Sequence, residues 1–361
     1  MSPQISIVTP TFNRKSTLPD LLASLEQQQG TIEWEWIAVD DGSTDGSWEW
    51  LQEAAANDSR VRALRREGHP KGANRCRNQG MDSARGDLVV FFDSDDILMP
   101  EALANRVAAM ESAGPEIDFL AWQAEIFREQ PGDLGTLWNF GLGGDPLTRF
   151  FALDPPWPVS GPTWRREYLQ RLGVRWREKL PSWQDYVWHA EILQHSPNFQ
   201  MVCARDHQVR MEGETHKTTA EVFKKRPVKH LRAQETEVRR LVTICRLAKT
   251  LNPERRYWLA TNFGLFANDY AMTGSRAQAL GILFRGAISL PAEIPYFLRA
   301  AWFHSFSRSR LAQLAKLSNT EQGFLPGRRP RCGEYRFRGS VSMLENPSPP
   351  ESTAAYFPSP N

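Results

Sequence analysis

Cysteine is scarce in this chain of 361 residues, which has four: Cys76, Cys203, Cys245 and Cys332. No two of them form a C-x-x-C pair, so a thiolate metal site and a disulfide framework are poorly supported, and reduced thiols in a cytoplasm are the simplest account. Net charge is small as well. The 44 Lys and Arg against 42 Asp and Glu leave +2, which gives no polyelectrolyte argument for a nucleic-acid partner. Long hydrophobic runs are missing too. Ile5–Val8 is too short for the apolar region of a signal peptide and has no basic segment before it. The most apolar later stretch, about 278–303, is broken by Arg285, Pro291, Glu293, Pro295 and Arg299 and is not a spanning helix. It could lie on a membrane surface, with Lys224, Lys225, Arg226, Lys229, His230 and Arg232 nearby in sequence, although a solvated basic face is the plainer reading. No internal repeat stands out.

What is present begins with GDLVVFFDSDD at 86–96, an apolar run that ends abruptly in Asp93, Ser94, Asp95 and Asp96. Such a run is what a buried parallel strand looks like when its C-terminal end opens into a site. Three acids in four residues repel one another, so a divalent cation or solvent is expected among them. Alternatively the acids form a solvated turn in which one caps a helix near Pro100. Two further runs, ISIVTP at 5–10 and WEWIAVDD at 34–41, also end in polar residues, with helix-like stretches at 16–29 and 45–56 between them. Together they describe an α/β sheet whose strand ends share one edge, the edge at which such sheets bind ligands.

Four segments, SIVTPTFNR, VDDGSTDGS, GANRCRNQGMDSARGD and FFDSDD, occur in the order and approximate spacing of the family 2 inverting glycosyltransferases of bacterial type, which this chain resembles over about its first two hundred residues. The resemblance implies a GT-A fold: a mixed central sheet flanked by helices, followed here by a C-terminal helical region. It also implies a nucleotide-sugar donor, most commonly a UDP-sugar, a carbohydrate or lipid-linked glycan acceptor, and Mg²⁺ or Mn²⁺ to offset the charge of the departing diphosphate.

By that resemblance Asp95 is the metal ligand and Asp93 lies close to the ribose and metal. Asp40 and Asp41 suit nucleoside recognition, since a carboxylate accepts from a ring N–H or a ribose hydroxyl. Asp41 takes the base, while the backbone at Thr9 and Pro10 lines the same pocket. Asp45, in STDGS, is a turn or cap residue. The basic stretch Lys71–Arg77 would present Arg75, Arg77 and Asn78 toward the diphosphate, and an Arg pairing with a strand-end carboxylate is the structural alternative.

Inversion needs a base for the acceptor hydroxyl. Asp185, in LPSWQDYVWHAEIL, stands at a helix start among Trp183, Val187 and Trp188, surroundings that raise a carboxyl pKa, and it matches the family's base. The family commonly has Glu before this Asp, and here Gln184 removes that charge. A helix cap is the structural alternative for Asp185. In VRMEGETHKT, His216 is a second candidate for the metal or the diphosphate and Arg210 supports the loop, whereas His189 and His207 are structural. Of the 13 Trp, four (Trp138, Trp157, Trp164 and Trp183) are candidates for packing on a sugar. Only Trp183, beside the proposed base, is retained for the donor site.

The expected organisation is a glycosyltransferase domain over 1–220, a helical region over 221–318 and a disordered tail over 319–361, where Gly, Pro, Ser and Arg dominate. A nucleotidyltransferase would carry a Gly-rich basic loop after the first strand, and TPTFNRKS has no Gly. A processive synthase would carry Q-x-x-R-W and spanning helices. A non-catalytic nucleotide-sugar-binding protein is left open by the residues alone, against the intact Asp93, Asp95 and Asp185. The enzyme is expected in the cytoplasm or peripherally at the inner face of a membrane.

Overall fold

The computed structural model describes residues 2–138, 144–211, 228–272, 275–306 and 335–336. His216, Lys224, Lys225 and Arg226 lie outside the described residues, as does the tail apart from Tyr335 and Arg336.

In chain order the elements are β1 Ile5–Thr11, α1 Leu18–Glu26, β2 Trp34–Asp40, α2 Ser47–Asn57, β3 Val61–Arg65, α3 Ala73–Ser83, β4 Leu88–Phe91 and β5 Ile97–Leu98. Next come α4 Ala102–Ser112, β6 Phe119–Phe127, β7 Thr136–Leu137, α5 Pro146–Phe151, β8 Pro162–Arg165, α6 Arg166–Leu172, α7 Gln184–Leu193 and β9 Phe199–Arg210. Four helices follow, α8 Val228–Leu247, α9 Pro253–Met272, α10 Arg276–Ser289 and α11 Ile294–Phe306, and then the short β10 Tyr335–Arg336.

The sheet runs β10-β7-β6-β8-β4-β1-β2-β3, with β9 beside β6 and β5 beside β9. Strands β4, β1, β2 and β3 are parallel neighbours, β8 is antiparallel to both β4 and β6, and β9 is parallel to β6. This is the expected mixed α/β sheet, and the C-terminal ends of β1, β2 and β4 share the anticipated edge.

Every residue of β1 and β2 is buried, because helices cover both faces. Alternation along the strands divides the core. Ile7, Trp36, Ala38, Val90 and Phe92 face α1, α2 and α4, whereas Val8, Ile37, Val39, Val89 and Phe91 face the side of α3, α5 and α7. On this second side the core continues without a break into α8 to α11 through Leu231, Val238, Phe263, Phe266 and Phe297. Gly80 lets α3 approach β1, since a Cβ there would sit 2.3 Å from Val8 Cγ1.

One strand position breaks the apolar pattern. Glu35 in β2 is buried; burial alone would raise its pKa, yet Ser6 Oγ at 2.7 Å, Arg62 at 2.7 Å and the Arg85 N–H hold it below the usual value. A buried carboxylate with these donors is fully accommodated. Among the described residues Cys76 and Cys245 are buried and free, and Cys203 is exposed.

Candidate active site

The site is built where β1, β2 and β4 end. Beyond β1, Asn13 takes a left-handed φ of 52° and accepts the Thr44 N–H through its side chain at 2.8 Å, while its own N–H donates to Ser43 Oγ. Asp45 accepts from Ser47 N and Oγ and from Lys15 N, which makes it the structural residue its sequence context suggests. The loops after β1 and β2 are thus zipped together.

Asp40 is wholly buried, and its carboxylate accepts from the Gly42 and Ser43 N–H groups and from Arg65 at 2.6 Å. Its oxygens are occupied by the turn and by Arg65, so a contact to a nucleoside would compete with these bonds. Asp41 accepts from Arg66 Nε. Thr9 and Pro10 lie buried within β1, and Thr9 Oγ1 accepts the Trp36 indole N–H at 2.9 Å. Sequence reasoning missed Arg65 and Arg66 because it missed β3, whose C-terminal end delivers both to this edge.

The stretch expected as a basic loop before a helix is itself helical from Ala73. Asn78, inside α3, donates to Trp176 O and Glu178 Oε1 and accepts from Trp176 N. Its amide is engaged in holding the 176–178 segment. Arg75 likewise pairs with Glu178 at 3.0 Å.

Arg77 realises the structural alternative. It donates to Asp93 Oδ1 at 2.7 Å and to Gln184 Oε1 at 3.0 Å, with its guanidinium 4.7 Å from the Trp176 ring centroid. One buried cation therefore joins the end of β4 to the start of α7. Gln184, noted in the sequence only as a missing charge, is a hydrogen-bond acceptor for this arginine.

Asp185 follows directly in the first turn of α7 and is partly accessible. Burial is the main cause that raises its pKa, and the Asp93 charge adds to it, while the Tyr186 N–H and the Arg77 charge act the other way. Trp183 enters the helix in a left-handed conformation, φ 65°, with its ring 5.0 Å from Tyr186 and 5.3 Å from Phe266. That ring packs on the helical region, which does not favour a donor-binding role. Trp157 and Trp164 are core residues, and Trp138 donates to Pro155 O.

His189 and His207 are both fully buried, as expected of structural histidines. His189 Nδ1 lies 2.9 Å from Asp185 O and burial lowers its pKa to about 3, so the ring is neutral and donates to that carbonyl. Beneath α7, Trp176 and Trp188 stack at 4.5 Å, both edge-on to Phe91 of β4.

The three acids after β4 separate by role. Asp96 is buried, accepting from Ser160 Oγ at 3.1 Å and from the Arg210 N–H at 3.2 Å; burial first, then Asp95 and Asp93, pushes its pKa well above the usual range. It is an internal strut. Asp95 sits 3.5 Å from Arg14, and its backbone carbonyl accepts from Arg210 Nε, which is the loop support expected of Arg210. Among the described side chains, Arg77 and Arg14 are the positive neighbours of Asp93 and Asp95.

Among the described residues no three His, Cys, Asp or Glu side chains converge to hold a metal by themselves. Asp95 and Asp93 nevertheless supply hard oxygen donors, which fit Mg²⁺ or Mn²⁺ when a diphosphate supplies further ligands. No described helix is long and apolar enough to cross a membrane.

Residues 6–144 match the family described as Glycosyl transferase family 2. Over 102 residues the chain is 34% identical to a GalNAc(5)-diNAcBac-PP-undecaprenol beta-1,3-glucosyltransferase of Campylobacter jejuni, which covers 28% of this chain and 33% of that protein. It is 28% identical over 200 residues to the succinoglycan biosynthesis protein ExoO of Rhizobium meliloti, covering 53% and 56%. The chain thus spans about a third to just over half the length of these relatives. In structure it is similar to TarS 1-349 of S. aureus, solved in complex with UDP-GlcNAc, with a TM-score of 0.60 at 19% identity over 83% of this chain and 89% of that one. That likeness is one of fold. The matched residues 6–144 carry the ends of β1, β2 and β4, so the resemblance to glycosyl transferase family 2 lies at this edge of the sheet.

Proposed function

We propose that this protein transfers a sugar from a nucleotide-diphosphate donor, a UDP-sugar, to a hydroxyl of a carbohydrate or lipid-linked glycan, inverting the anomeric centre, in the synthesis of a cell-surface glycan such as lipopolysaccharide, capsule or exopolysaccharide. The observation that carries this reading is the double contact of Arg77 with Asp93 and Gln184, which ties the strand-end acids to the turn bearing Asp185. The names of the relatives support the glycan class, one for an undecaprenol-linked acceptor and one for succinoglycan.

In this mechanism the acceptor oxygen forms a bond to the anomeric carbon as the bond from that carbon to the diphosphate breaks. The diphosphate leaves with the electron pair, and the hydroxyl proton passes to an Asp185 oxygen. A carboxylate whose proton affinity is raised by burial is suited to this role. Asp95, with Asp93 beside it, would hold Mg²⁺ or Mn²⁺, which when bound offsets negative charge on the leaving group. His216 is a further candidate ligand by the family resemblance. Asp41 and the backbone at Thr9 and Pro10 take the nucleoside. Such an enzyme works at the cytoplasmic face of a membrane, where nucleotide-sugars and lipid-linked acceptors meet.

The test is a screen of nucleotide-sugars for thermal stabilisation and hydrolysis, with and without Mn²⁺, followed by NMR of the product with the active donor. The expected product has the anomeric configuration opposite to the donor's. A retained configuration would remove Asp185 as the base, and stabilisation by a donor with no turnover of any donor would favour a non-catalytic nucleotide-sugar-binding protein.

A further inference from the structure

Helices α10 and α11 are packed on one side and apolar on both. The inward stripe of α10, Ala279, Ile282, Leu283 and Gly286, is buried, and a Cβ at Gly286 would meet Phe297 of α11 at 2.6 Å. This stripe satisfies the need of the fold for a core. The outward stripe is nevertheless Leu280, Phe284 and Ile288 on α10, continued by Ile294, Leu298 and Trp302 on α11, each between 36% and 69% exposed. A surface helix normally turns polar residues to solvent on that side. Six large apolar side chains at helical spacing on two successive helices form a patch that water disfavours.

Within these two helices and the turn between them, basic side chains outnumber acidic ones. Between residues 275 and 306 the only acid is Glu293, held by Arg256 at 3.3 Å, whereas Arg276 and Arg299 are exposed. The sequence that follows, residues 307–361, carries Arg308, Arg310, Lys316, Arg328, Arg329, Arg331, Arg336 and Arg338 against Glu321, Glu334, Glu345 and Glu351, a net positive charge. A second copy brought to this face would meet like charge, and so would the chain's own continuation. An anionic bilayer offers both an apolar interior and opposite charge, and it accepts Trp and Phe at its interface.

We propose that the outward face of α10 and α11 docks the protein on a membrane surface rich in anionic lipid, with the apolar stripe entering the headgroup boundary and the arginines at its rim. The inference rests on this helical pair alone and does not require the sugar-transfer reading.

The test is co-sedimentation of the full chain with vesicles of phosphatidylcholine alone and of phosphatidylcholine with about a third phosphatidylglycerol. The wild type should bind the anionic vesicles about tenfold or more tightly than the neutral ones, and less tightly as salt rises. Phe284→Ser combined with Leu298→Ser should weaken binding about tenfold or more, and Arg276→Glu with Arg299→Glu should remove the preference for anionic lipid. Both variants change outward-facing residues and should keep the wild-type thermal midpoint and nucleotide binding. Equal pelleting of the wild type and the Ser variant would overturn the proposal, as would no binding of the wild type to either vesicle. Light scattering that shows a dimer dissolved by the Ser substitutions, without vesicle binding, would assign the face to a second copy. A polarity-sensitive dye on Phe284→Cys, with Cys203 and Cys332 changed to Ser, should report water until vesicles are added. An apolar signal from the monomer before that would assign the face to residues 307–361.

Discussion

The Arg77 guanidinium, 6% exposed, donates at 2.7 Å to an Asp93 carboxylate that is 37% exposed. A cation fixed inside the protein thus aims an acid that faces outward, and the same cation holds Gln184 at the start of α7. The arrangement gives the two halves of the site one shared support: the acids after β4 and the carboxyl group of Asp185 cannot drift independently while Arg77 is in place.

Arg77→Lys should therefore loosen both halves. An ammonium is a point donor and cannot reproduce the planar pair of contacts to Asp93 and Gln184. Loss of a charge-assisted buried hydrogen bond costs about 2 kcal/mol, so the thermal midpoint should fall by several degrees, and turnover should drop roughly tenfold or more. Steady-state kinetics beside a thermal melt check this. An unchanged turnover in a destabilised variant would leave Arg77 a purely structural residue.

Asp95→Ala addresses the leaving-group side. Asp95 contacts Arg14 across a partly exposed gap, and Asp96, not Asp95, is the acid built into the core. Removing Asp95 should therefore leave the fold intact while abolishing the Mn²⁺-dependent part of nucleoside diphosphate binding. Calorimetric titration with UDP, with and without Mn²⁺, reads it directly. A folded variant with the wild-type metal-dependent affinity would exclude Asp95 as the ligand.

How far the sequence discloses the site depends on how its residues are buried. The apolar runs of β1, β2 and β4 are visible because both sheet faces are covered by apolar contacts. Strand β9 is invisible to the same reading, since Arg205, Asp206, His207 and Gln208 sit within it. They are accommodated by partners far away in sequence: Asp206 accepts from Arg106 at 2.5 Å and Glu125 accepts from Arg205 at 2.9 Å. The start of α3 is hidden likewise: the stretch from Asn78 reads as helical, whereas Asn74 and Arg77 before it are buried polar residues with no apolar periodicity. The motif acids are legible as a group, but their separate roles are not. Asp40, Asp41, Asp93, Asp95 and Asp96 look alike in a string, and only their hydrogen bonds separate turn-formers and struts from outward-facing carboxylates.

His189 yields a pH dependence of stability. Its folded pKa is about 3, because burial disfavours the charged ring, against about 6.5 in an unfolded chain. Between these values the unfolded state takes up a proton that the folded state refuses, so this contribution is complete above about pH 6.5 and is lost as pH falls toward 3. Its slope approaches about 1.4 kcal/mol per pH unit well inside that window. Urea unfolding from pH 7 to pH 5 should show His189→Gln less stable at pH 7 but with a shallower loss on acidification. Parallel curves for variant and wild type would contradict the buried neutral ring.

Asp185→Asn separates binding from chemistry. The substitution keeps size and most hydrogen bonding, so donor and metal affinity should stay near wild type while turnover falls roughly a hundredfold or more. Burial raises the pKa of Asp185 above the ordinary carboxylate value, and only the ionised form can accept the acceptor proton. In the wild type kcat/KM should therefore fall as pH drops through that raised pKa, and this acidic limb should be missing from the residual activity of Asp185→Asn. Gln184→Glu is the companion variant. It adds a second negative charge beside Asp185 while keeping an acceptor for Arg77, so like-charge repulsion should move the acidic limb to higher pH. Normal turnover in Asp185→Asn, or a limb that neither variant moves, would transfer the proton to another carboxylate.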